Sequence, residues 1–195
     1  MHSLRLLSSA ALLTMLATGA EAHTGHGATN AFAAGLAHPL EGFDHLLAIL
    51  AIGLWAGLVG GRGLWLWPVS FVGAMLIGGA LGMTGVPMPL VELGIVGSVI
   101  VIGLAAALAF SPSVMIGMAV AALAGLLHGH AHGTEVPADA SGLAYAAGFA
   151  IATALLHTLG IAAAVAATRF SLPIAARTAG GLTAVAGVVL AARFF

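Results

Sequence analysis

Long apolar blocks alternate with short polar breaks along this chain. A hydrocarbon layer of about 30 Å takes roughly 20 apolar residues as helix, and six blocks meet or approach that length: 44–60, 64–83, 90–110, 114–130, 143–167 and 175–193. The breaks carry turn formers, among them Gly60-Gly61-Arg62-Gly63, residues 85–89 with Pro87 and Pro89, Ser111-Pro112-Ser113, residues 129–141, and residues 169–173 ending at Pro173. The pattern predicts an all-α, polytopic membrane bundle of six transmembrane helices. Small residues recur four apart, as at Gly53 and Gly57, Gly78 and Gly82, Gly117 with Ala121 and Gly125, and Ala144 with Gly148 and Ala152. Such faces let helices approach closely in lipid.

Ahead of the first block, residues 1–22 read as a cleaved signal peptide. Arg5 supplies the positive start, residues 6–17 the short apolar stretch, and Ala20-Glu21-Ala22 the small-x-small site. Residues 23–195 then form one six-helix transmembrane domain. Cleavage would leave His23 first, with His26 close behind; a free amine beside an imidazole can chelate a divalent metal, and a plain polar tail is the simpler reading. The mature N-terminus is expected on the periplasmic side of a bacterial inner membrane. Arg62, Arg169 and Arg177 then fall on the cytoplasmic side and Arg193 near the outer end, in keeping with the positive-inside rule.

Composition narrows the chemistry. Charged residues make up 6% of the 195 and hydrophobic ones 61%, with a formal net charge of -1. That excludes a soluble globule, a disordered chain and a nucleic-acid binder, since no basic patch is present to neutralise phosphates. Cysteine is absent, so a metal site must use imidazole, carboxylate, thioether or backbone oxygen. Nine histidines outnumber both the acids and the bases. Ionisable groups within a bilayer are costly and generally mark function.

Two clusters hold most of them. The first is His38-Pro39-Leu40-Glu41-Gly42-Phe43-Asp44-His45, where Pro39 and Gly42 break an apolar run and predict a short segment, an interruption, then the main helix. Asp44 could equally be an N-cap. The second is His128-Gly129-His130-Ala131-His132-Gly133-Thr134-Glu135. If the helix continues through it, His128, His132 and Glu135 share a face and His130 points away; Gly129 and Gly133 are the places where it would break. Glu92 opens the third block, either as a ligand or as an acid complementing the helix dipole. His157 lies deep in the fifth block, as a relay ligand or as a buried histidine bonded to a neighbouring helix. By parity of the spans, His38, Asp44, His45, Glu92, His128, His132 and Glu135 all fall at one outer vestibule. Such donors suit nickel, cobalt or zinc rather than calcium or magnesium.

The two motifs, His38-Pro39-x-x-Gly42-x-Asp44-His45 and His128-Gly129-x-Ala131-His132-Gly133-x-Glu135, resemble those of the HupE/UreJ family, associated with hydrogenase and urease gene clusters. The resemblance runs over the whole mature chain, with Leu127 where family members often carry Phe. It implies a nickel, sometimes cobalt, permease with no energising domain and no permanently bound cofactor. It also implies transport roles for His38, Asp44, His45, Phe71, Glu92, His132 and Glu135. Phe71 comes from the resemblance alone. The expected partners are the lipid bilayer and the divalent ion, not nucleic acid, with a homo-oligomer left open. The competing classes are a metal sensor or assembly factor without transport, and an intramembrane metalloenzyme. Against the enzyme, Gly129 follows His128 where the His-Glu-x-x-His motif needs glutamate.

Overall fold

The computed structural model describes residues 28–136 and 141–195; the expected signal peptide and the His23 and His26 pair lie outside them. Seven α-helices account for most of the described chain: α1 (Ala28–Ala37), α2 (Phe43–Val59), α3 (Gly63–Met83), α4 (Val91–Ala107), α5 (Val114–Thr134), α6 (Gly142–Arg169) and α7 (Pro173–Ala191). A 3-10 turn, His38–Leu40, joins α1 to α2, and another, Ala192–Phe194, follows α7.

The helix boundaries follow the apolar blocks, but the helices are not equal in length. Four of them (α3, α5, α6, and α7 with its terminal turn) are long and apolar enough to cross a membrane. The segments Asn30–Leu40 and Phe43–Val59 reach that standard only as a bent pair, at 77° to one another. Helix α4 has 17 residues, about 25 Å at 1.5 Å per residue, short of the hydrocarbon thickness. By length and composition, the six expected spans therefore become four, or five with the bent pair. The physical reason lies at the breaks. Pro39, inside the 3-10 turn, has no N–H to carry α1 onward, Gly42 is extended ahead of α2, and Leu90 and Ala109 adopt left-handed backbone that clips α4 at both ends.

Helix pairing runs α3 with α5, α2 with α6, α4 with α7, and α1 with α6. The small-residue faces make these contacts. A Cβ on Gly125, Gly129 or Gly133 of α5 would collide with the carbonyl oxygens of Phe71, Met75 and Gly79 on α3. Gly53 of α2 likewise lies against the His157 carbonyl on α6. Outward-facing Trp65, Val69, Leu123, Leu155 and Leu182 are exposed. So apolar an exterior belongs to a protein held in lipid, and the chain is a membrane protein.

The two ends of the bundle differ. One end collects the start of α2, the end of α3, the start of α4, the end of α5 and the start of α6, and there the histidines gather. The opposite end carries Arg62, Arg169 and Arg177. Between them the core is closed by Ile49, Ile52, Trp55, Trp67 and Ile102, all buried. The Trp55 and Trp67 rings lie 4.3 Å apart, and their N–H groups donate to the carbonyls of Phe110 and Val114 at 2.7 and 3.1 Å.

Candidate metal centre

Helix α5 does not break at its glycines. It continues to Thr134, because Gly129 and Gly133 are the residues that let it lie directly on α3. His128 and His132 therefore stand one turn apart on the same face, with Glu135 at the helix end. His130 faces the other way, and its Nε2 donates to the Val86 carbonyl at 2.7 Å, pinning the loop between α3 and α4. On the facing side, the break after α1 lets His38 and His45 approach α5 from two directions.

Two groups of donors result, and they share His132. In the inner group, ligand atoms of His45, His128 and His132 lie within 4.8 Å of one another. His45 Nδ1 is 2.9 Å from His128 Nδ1, and both residues are fully buried. In the outer group, His38, His132 and Glu135 meet the same criterion. His38 Nε2 lies 2.6 Å from His132 Nδ1, and Glu135 Oε2 is 3.1 Å from His132 Nδ1 and 3.3 Å from His38 Nε2. Glu41 Oε2 lies 3.2 Å from His38 Nδ1, while His38 Nε2 faces the group.

A polar cavity of about 300 Å³ opens over these donors, lined by His38, Glu41, Asp44, Glu92, His128, His132 and Glu135 among others. Asp44 and Glu92 thus line the vestibule without belonging to either close group. The N-cap of α2 is Gly42, not Asp44; Asp44 Oδ1 instead accepts from the His45 backbone N–H at 2.7 Å. Glu92 is exposed in the first turn of α4, so it complements the helix dipole while facing the cavity.

Below the donors the walls become aromatic. Phe149 stacks on His45, with centroids 5.1 Å apart, and meets His132 edge-on at 5.4 Å. Phe71 is fully buried, 6.0 Å from the His128 ring and 5.1 Å from that of His157. His157 is buried with neither ring nitrogen hydrogen-bonded, and His45 Nε2 is also without a partner. The expected alternative for His157, a bond to a neighbouring helix, is therefore absent among the described residues. Unpaired buried nitrogens cost about 1–3 kcal/mol each, so a visiting ion or water is the natural partner for them.

Sequence reasoning missed Glu41, Phe149 and Ser98, whose Oγ lies 3.0 Å from His128 Nε2. Ser98 did leave a signal, being the one hydroxyl residue in α4. Phe149 left none, since an aromatic in an apolar helix ordinarily reads as packing.

No solved structure matches the chain. The chain is 41% identical over 173 residues to Protein HupE of Rhizobium leguminosarum bv. viciae, covering 88% of this chain and 89% of that protein. The model of the family described as HupE / UreJ protein matches residues 11–190. With both histidine motifs inside that match, the chain belongs to the HupE/UreJ family.

Proposed function

We propose that this protein is a permease that carries a divalent transition-metal cation, nickel with cobalt as the alternative cargo, across the inner membrane into the cytoplasm. The reading places six crossings in the membrane, with α2 and α4 as short spans, and the histidine end toward the periplasm. Its cargo would supply hydrogenase or urease maturation. The observation that carries it is the convergence of two donor groups sharing His132, beneath one polar vestibule. Imidazole and carboxylate without thiolate suit nickel and cobalt.

In this mechanism Glu41, Asp44, Glu92 and Glu135 draw the hydrated cation into the vestibule. His38, His132 and Glu135 replace part of its water. His45, His128 and His132 take it further into the bundle, and Phe71 and His157 form the next step. Neutral imidazoles hold the ion loosely enough for release, as conduction requires. Consumption of the metal on the far side drives the flux without an energy module.

A sensor or assembly factor that binds without transport is the second reading. The buried core around Trp55 and Trp67 favours it, since among the described residues it closes the way below His157. Radioactive Ni²⁺ uptake into proteoliposomes separates the two. A permease gives time-dependent uptake above empty liposomes, lost in His132→Ala and in Asp44→Ala at equal protein incorporation. Binding without uptake in the intact protein would leave the sensor, and undiminished uptake in both variants would sink the site.

A further inference from the structure

We infer that Ser98, on α4, is a positioning residue that decides which nitrogen of His128 faces the cation; this rests on the metal-binding reading above. Ser98 Oγ has two neighbours, the Ile95 carbonyl oxygen at 2.6 Å and His128 Nε2 at 3.0 Å. A serine hydroxyl has one proton to give. Two oxygens 2.6 Å apart repel unless a proton lies between them, and that separation is typical of an O–H···O bond. The Ser98 proton therefore goes to Ile95, and the bond to His128 must run the other way, with Nε2–H donating to Oγ. A neutral imidazole protonated on Nε2 presents a bare lone pair on Nδ1. That is the nitrogen lying 2.9 Å from His45 Nδ1 in the inner group.

The assignment propagates. With His128 Nδ1 as acceptor, the proton in the His45–His128 contact belongs to His45 Nδ1. His45 Nε2 is then a lone pair, which agrees with its lack of any partner in the core; an acceptor left unpaired is the more tolerable omission. A cation bound by the inner group displaces that bridging proton, which passes from His45 Nδ1 to the bare His45 Nε2, so that His45 stays neutral while its Nδ1 lone pair turns to the ion. Without Ser98, nothing on α4 would hold His128 in the form that offers Nδ1, and the opposite tautomer would turn an N–H toward the ion. Outer hydrogen-bond partners of metal-binding histidines fix the tautomer in this way.

The test uses the full chain in lipid nanodiscs with ¹⁵N-labelled histidine rings. In metal-free protein the His128 resonances, assigned by their loss in His128→Gln, should show Nε2 protonated and Nδ1 bare. In Ser98→Ala that preference should be lost, and Ni²⁺ binding by calorimetry should weaken by about 10–100-fold. Ser98→Thr, which keeps the hydroxyl, should restore both. A wild-type His128 protonated on Nδ1 overturns the inference, as does unchanged Ni²⁺ affinity in Ser98→Ala. So does a loss of affinity that tracks a lowered melting temperature and is not restored by Ser98→Thr, because that marks packing alone. Wild-type protein that binds no Ni²⁺ overturns the metal reading, and with it any role for Ser98 toward a cation. Wild-type binding with an unaffected Ser98→Ala variant overturns Ser98 only.

Discussion

The outer and inner donor groups share His132 but are built from different chemistry. Around the outer one, His38 stands between Glu41 and Glu135, both more than half exposed. Around the inner one, His45 and His128 are fully buried, with Phe149 stacked on one and Ser98 bonded to the other. The outer group can attract charge at a distance through water. The inner group offers only imidazole nitrogens, with no carboxylate among its donors, at the buried floor of the vestibule. A transport path needs both properties in that order. On the permease reading proposed above, the outer group would serve capture and the inner group passage onward.

The largest break in this comparison comes from changing the scaffold rather than a ligand. Gly129→Leu forces a side chain into the Met75 carbonyl, and because backbone cannot yield as a flexible side chain does, α3 and α5 must part. We expect a lowered melting temperature, a cost of about 1–3 kcal/mol or more, together with loss of both donor groups. Full thermal stability and Ni²⁺ binding in that variant would contradict the packing account.

Next in size is the contrast between His45→Ala and Glu135→Gln. The inner substitution should weaken Ni²⁺ affinity at every salt concentration, since a buried ligand is little screened. The outer one should mainly slow capture, and the deficit relative to wild type should shrink as salt rises, with a Debye length of about 10 Å at 0.1 M. Stopped-flow binding across ionic strengths checks both, and matching salt profiles would merge the two groups into one.

The smallest effect belongs to His130→Ala. Its single hydrogen bond, to Val86, holds a loop and no donor. We expect a loss of about 1 kcal/mol in stability, read from thermal melts, with Ni²⁺ affinity unchanged. A large loss of affinity would bring His130 into the site.

Much of this was legible in advance for local reasons. Helix positions follow from apolar block length and from Gly and Pro at the breaks, which act within a few residues. The pairing of His128 with His132, and the opposite aim of His130, follow from helical periodicity once α5 is continuous. Chain parity brought the first cluster, Glu92 and the second cluster to one end of the bundle. The departure is also local in cause: α4, between the left-handed residues Leu90 and Ala109, is shorter than its apolar run, because hydropathy measures composition and not backbone conformation.

The amino-acid order by itself therefore determined a membrane-embedded helical bundle, its small-residue faces, and a supply of imidazole and carboxylate at one end. Tertiary structure alone decided that His132 belongs to two groups and that Asp44 and Glu92 stand back from both. It also decided that Phe149 and Ser98, unremarkable in sequence, touch the histidines. Those outcomes depend on where α2, α4, α5 and α6 cross, and crossing geometry is set by glycine-to-carbonyl contacts between residues far apart in the chain, which no local pattern records.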